Sequence, residues 1–205
     1  MVITYHGGEC FKVVSGGTTL VFNPPAKGSR FAPARFGADV ALVSLNHPDF
    51  NGIEQVTYAD KTPFVISGPG EYEVGELTAR GVGVRTLYDG EERFNTLYQV
   101  ALEGITLVFL GAFSSAADAQ VLEQFSGADI LFTPIGGGDV LDSAASSALG
   151  VRTEARLVIP MHYDEQSLRA FLKEEGAEGA EPQEKLVVKK KDLAGREGDI
   201  VVLRV

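Results

Sequence analysis

A mixed α/β fold is what this 205-residue sequence predicts, and three observations carry that expectation. The first half is dense in short β-like runs separated by glycine turns, and from Gly104 onward the pattern becomes strand, helix, strand, helix. The strands of that second part are continuous apolar runs, as expected where both faces of a sheet are covered. Stacked sheet pieces with helices outside follow from these features.

In chain order, VITY (2–5), CFKVV (10–14) and TTLVF (18–22) read as strands. The last two are joined at Gly16 and Gly17, where a tight hairpin turn needs positive φ, so this half starts as an antiparallel meander. DVALVSL (39–45), TPFVIS (62–67), ELTARGVGVRTLY (76–88) and TLYQVAL (96–102) continue the series. Between them SGPGEYEVG (67–75) reads as a turn, because glycines flank Pro69 and permit backbone conformations closed to other residues. Two readings of Glu71 stand there: a carboxylate held toward a cleft, or a turn residue accepting backbone hydrogen bonds.

ITLVFL (105–110) then leads into SSAADAQVLEQF (114–125), which has small capping residues and apolar positions at helical spacing. ADILFTPI (128–135) leads into a helix within GGGDVLDSAASSALGV (136–151), with Asp139 read as its cap. The Gly-rich run there lacks the Lys and Ser or Thr of a phosphate-binding loop. ARLVIPMHY (155–163) leads into the helix DEQSLRAFLKEEG (164–176), and KLVVKKKDL (185–193) and DIVVLRV (199–205) close the chain as strands.

Composition narrows the function. Hydrophobic residues make up 44% and charged residues 22%, ordinary for a globular chain. A net charge of -10 opposes nucleic-acid binding, which is driven by collected Lys and Arg. The one basic cluster, Lys189 to Lys191, reads as a solvated strand edge. A single Cys10 excludes an internal disulfide and fits a reducing compartment. With neither a targeting signal nor a membrane-length apolar run, the expectation is a cytoplasmic protein with no membrane partner.

Functional residues of α/β folds gather where strands end. All three histidines, His6, His47 and His162, fall at such points. So does SLNHPDFNG (44–52), where His47 and Asp49 crowd a strand end beside Leu45 and Phe50.

These segments carry a resemblance. ITYHGGECFKV, ADVALVSLNHPDFNG, PGEYEV, ITLVFLGAF, ADILFTPIGG and IPMHY together resemble the metallo-β-lactamase fold superfamily, in particular small zinc-dependent hydrolase-like proteins related to the lactonase that opens ascorbate-6-phosphate. The likeness spans nearly the whole chain. It implies a four-layer αββα sandwich, one domain over 1–205 built from two similar halves, about 1–95 and 96–205.

The resemblance also implies a metal-site template from which this sequence departs. The family's His-x-His-x-Asp-His motif falls on Leu45, Asn46, His47, Pro48, Asp49 and Phe50. A further family His falls on Tyr88, the metal-bridging Asp on Ala112, and the last His on His162. Gly-His-Ser of the first hairpin reads Gly7, Gly8 and Glu9, and the usual Asp before Pro reads Asn23. On this template the first metal keeps His47 alone and the second keeps Asp49 and His162. A catalytic zinc needs three protein ligands and an open position, so neither site is complete.

Two readings follow. In the first, the chain is a non-catalytic or strongly diverged hydrolase homologue without a cofactor, a binding or assembly module whose partners are a small-molecule ligand or further copies of itself. Its cleft would be lined by His6, His47, Asp49, Glu71, Tyr88 and His162. In the second, it is a divergent hydrolase, with Asp49 its catalytic candidate, holding one weak zinc or manganese at His47, Asp49 and His162.

Overall fold

The computed structural model describes residues 1–58, 61–114, 116–125 and 127–205, with the side chains of 116–119 left out. The first sheet holds β1 (Val2–Tyr5), β2 (Phe11–Ser15), β3 (Thr18–Phe22), β4 (Val40–Leu42) and β5 (Phe64–Ile66). The second holds β6 (Gly70–Val74), β7 (Leu77–Tyr88), β8 (Glu91–Leu102), β9 (Ile105–Phe109), β10 (Ile130–Pro134) and β11 (Leu157–Met161). Two short closing strands, β12 (Leu186–Val187) and β13 (Asp199–Ile200), go to different sheets, giving the orders β12-β1-β2-β3-β4-β5 and β13-β11-β10-β9-β8-β7-β6.

Both sheets are mixed. In the first, β12, β1, β2 and β3 are antiparallel while β3, β4 and β5 are parallel; in the second, β6 to β9 form an antiparallel meander and β9, β10, β11 and β13 are parallel. The sheets pack face to face through one apolar layer. Phe22 stacks on Phe109 with ring centroids 4.5 Å apart, and Phe11 meets Phe132 at 4.7 Å. Every residue of β10 and β11 is buried, because the inner face meets this layer and the outer face meets the helices α1 (Ser143–Thr153) and α2 (Glu165–Glu174) through Leu149 and Phe171. The outer face of the first sheet is covered by Ala34, Phe36, Ala38, Ile53 and Val56, from the 24–38 segment and a short 3-10 turn.

The sequence pattern and the structure part at several elements. GEYEV is a strand, β6, where a turn was expected, since it pairs along its length with β7. β8 runs from Glu91 to Leu102, and in chain order the strands pass from the first sheet to the second between β5 and β6 before β12 returns to the first. The segment Ala116–Phe125 is 3-10 helical, and Ser115 of the predicted helix lies outside the described residues. Asp142, not Asp139, caps α1, accepting the Ala145 N–H at 2.8 Å. KLVVKKKDL keeps only two strand residues, after which Lys190–Leu193 turn as a 3-10 helix and Lys190 reaches the buried Asp129 at 2.5 Å. That lysine is thus anchored rather than merely solvated. Asp129 also pairs with Arg156 at 3.0 Å.

Candidate functional site

Loops at the ends of β3, β4, β7, β10 and β11 converge on one side of the sandwich, with the β1–β2 turn beneath them. The loop after β4 is folded tightly on itself. The Phe50 and Asn51 N–H groups donate to the His47 carbonyl at 2.9 and 3.1 Å, and the Asp49 N–H donates to His47 Nδ1 at 3.2 Å. Gly52 lets a second segment lie on this loop: a Cβ there would stand 2.4 Å from the backbone of Pro25 and Ala26. The Gly52 N–H donates to Pro24 O at 2.6 Å and the Ala26 N–H to Pro48 O at 2.8 Å. This contact carries Ser29, Arg30 and Phe31 over the site.

Asp49 is buried at its centre, and both its oxygens are engaged. Oδ1 accepts Ser29 Oγ at 2.6 Å and the Arg30 N–H at 3.1 Å; Oδ2 accepts the Tyr88 hydroxyl at 2.9 Å and pairs with Arg30 Nε at 2.7 Å. Burial alone would raise the Asp49 pKa, but the hydrogen bonds from Ser29, Tyr88 and the Arg30 N–H, with the Arg30 charge, outweigh it and hold the carboxyl below its ordinary value. Tyr88 responds in the opposite sense. Burial, the Glu9 charge and its bond to Asp49 push the phenol far above its ordinary range, so it stays a donor.

An apolar cluster fills the space beside this carboxylate. Leu45, Phe50, Tyr88, Ala112 and Val140 are buried together, with Phe31 packed against them. Phe50 meets Tyr88 at 5.0 Å and His47 meets Tyr88 at 5.0 Å, both edge to face. Ala112 offers only its carbonyl, which accepts Thr86 Oγ1 at 2.6 Å.

His162 stands on the far side of the cluster in a polar chain of its own. Its Nδ1 lies 2.8 Å from Glu9 Oε1, and Phe31 crosses its ring at 5.2 Å. Glu9 is buried, and its other oxygen accepts Asn23 Nδ2 at 2.8 Å. Asn23 donates in turn to Ser44 Oγ and accepts the Ser44 N–H, each at 2.8 Å. An amide at position 23 is what Glu9 requires, since a carboxylate there would face another carboxylate in a buried site.

Residues 2–162 match the Beta-lactamase superfamily domain. The chain belongs to the metallo-β-lactamase superfamily. A Listeria innocua member described as a metal-dependent hydrolase is 25% identical over 195 residues, covering 80% of this chain and 86% of that protein. One from Nitratidesulfovibrio vulgaris, described in the same words, is 27% identical over 78% of this chain and 79% of its own length. Among solved structures, a Thermotoga maritima protein provisionally described as a zinc-dependent hydrolase of the metallo-β-lactamase superfamily superposes with a TM-score of 0.78 at 26% identity, covering 98% of this chain and 97% of that one. The two mixed sheets with outer helices are thus the metallo-β-lactamase sandwich.

Within this superfamily fold, the site gathers His47, Asp49, Tyr88 and His162 of the residues singled out from sequence. His6 and Glu71 lie apart from this group. The His6 ring packs on Phe36 at 5.0 Å, because the end of β1 turns it toward the outer layer of the first sheet. Glu71 is exposed on the edge strand β6, where alternation sends Tyr72 inward and Glu71 out, beside Arg80 and Gln99. Sequence reasoning missed Arg30, the partner of Asp49. PPAKGSRFAPARFG has no periodicity to draw attention, and nothing in its spacing points to a carboxylate 19 positions away. A cavity of about 380 Å³ remains at the mouth, lined by Arg30, Phe31, Gly136 to Gly138, Asp139, His162, Tyr163 and Asp164.

Proposed function

We propose that this chain is a metallo-β-lactamase-superfamily member that does not perform dinuclear metal hydrolysis and serves as a binding or assembly module. The observation that carries the reading is the state of Asp49, whose oxygens are already committed to Ser29, Arg30 and Tyr88 while Leu45, Phe50 and Ala112 close the space around it. The donor set fits a dinuclear centre poorly. Leu, Phe and Ala offer no ligand atom, the Tyr88 hydroxyl is already bonded to Asp49, and an apolar surround raises the cost of a divalent ion. Among the described residues no three His, Cys, Asp or Glu side chains are grouped to hold a metal ion.

The descriptions of the Listeria and Nitratidesulfovibrio relatives favour the second reading, a divergent hydrolase with one weak zinc or manganese at His47, Asp49 and His162. Metal analysis separates the two. Protein purified without chelator, then incubated with excess zinc or manganese and desalted, is expected to hold well below one metal per chain. A stoichiometric metal that is lost in His47→Ala or His162→Ala would overturn the proposal.

A further inference from the structure

We propose that Arg30 is a tethered cation, built into the cleft as the permanent positive partner of Asp49, Asp89 and Asp139, and that these carboxylates with the Tyr88 ring form a guanidinium site filled by the chain itself. This rests on the reading above, in which no metal neutralises Asp49.

The geometry is that of a cation among its ligands. Arg30 Nε is 2.7 Å from Asp49 Oδ2, NH2 is 3.9 Å from Asp89 Oδ1 and NH1 is 3.8 Å from Asp139 Oδ2. The three carboxylates come from separate loops, after β4, β7 and β10. One guanidinium therefore joins loops from both sheets. Its carbon lies 5.2 Å from the Tyr88 ring centre, the distance of a cation over an aromatic face. The His47 Nε2, 3.6 Å from Asp89 Oδ2, completes the rim.

Asp49 explains why a cation is required. Its side chain is 2% exposed, so without Arg30 a buried carboxylate would keep hydroxyl and amide donors and, 3.5 Å from Oδ2, the His47 Nδ1 that already accepts the Asp49 N–H, but no permanent cation. The neighbours on either side of Arg30 serve the same seating. Ser29 Oγ caps Asp49 Oδ1 and accepts the Phe31 N–H at 2.9 Å, and the Phe31 ring presses on Gly8, where an added Cβ would stand 2.7 Å from it. A planar fork suits this role because it can face several carboxylates at once, whereas an ammonium is a point charge.

The test is chemical rescue. Arg30→Ala should lower the folding equilibrium constant by roughly 5- to 30-fold. Methylguanidinium chloride at low millimolar concentration should then raise the melting midpoint of the variant, with a gain that grows as the logarithm of its concentration and exceeds any change in the unsubstituted protein. Sodium chloride at equal ionic strength controls for screening. A variant as stable as the parent, or one that methylguanidinium shifts no more than the parent, overturns the inference.

Should Arg30→Ala fail to fold, Arg30→Gln, Asp49→Asn and the double variant form a cycle in which the two substitutions must be strongly non-additive; additivity overturns the inference. Metal found in the unsubstituted protein would refute the proposed function. Absence of rescue in the variant would refute only the role of Arg30.

Discussion

Truncating Phe50 to alanine tests whether the apolar cluster is a packed interior or the wall of an open pocket. Phe50 is 0% exposed and packs on Tyr88 at 5.0 Å and on the His47 and His162 rings at 6.2 Å each. Removing a fully buried phenyl costs about 3–5 kcal/mol, the lost transfer energy plus the cavity left behind. The upper part of that range applies, because the backbone at Phe50 is held by its hydrogen bond to His47 O and by the Gly52 contact, so the site collapses little. With a urea slope of about 2–3 kcal/mol/M for a chain of this length, a loss of about 4–5 kcal/mol moves the unfolding midpoint down by roughly 1.3–2.5 M. Urea denaturation followed by far-UV circular dichroism reads this directly. A residue lining a solvent-filled cavity would instead cost under about 1 kcal/mol, so a shift below roughly 0.5 M at unchanged slope refutes the packed-interior account.

Two further outcomes follow from the buried charges. Asp49 has a folded-state pKa below its ordinary 3.8, so its stabilising contribution is complete above that value and is lost as pH falls through the lower folded one. The unsubstituted protein should therefore lose stability more steeply than Asp49→Asn as pH is lowered from about 5 to 2.5, with the variant less stable at neutral pH; parallel curves would refute this coupling. Asn23→Asp would set a carboxylate against Glu9 Oε2, now 2.8 Å from the Asn23 amide nitrogen, at a cost of about 1–3 kcal/mol near pH 7. Denaturant titration of the variant at pH 7 reads this loss, and a variant as stable as the parent would sink the idea.

Much of the fold was legible because strand pattern reports burial. The solid apolar runs ILFTP and LVIPM are buried on both faces, and the alternation of β7 follows one covered and one open face. GEYEV was not legible as a strand. Its glycine and charges are tolerated because β6 is the sheet edge, where one side and one face are open to water. The Lys189 to Lys191 run is exposed beside the edge strand β12, as its composition suggested, but a basic stretch carries no mark of the buried Asp129 that one of its members reaches.

At the site, His47 and Asp49 could be placed together from sequence because they are two residues apart at one strand end, and Leu45 and Phe50 beside them could be read as apolar substitutes in a metal motif. The sequence by itself thus determined the class of fold and the strand ends where a site would form, which are written in local order and side-chain chemistry, while the apolar character of the site's interior was implied by the family resemblance. Only the tertiary structure decided that Arg30 pairs with Asp49, that Glu9 holds His162 across 153 positions, and that His6 and Glu71 face away. The physical reason is that periodicity encodes which face of an element is dry, whereas the partner of a buried charge is chosen by which loops meet when the two sheets close on each other.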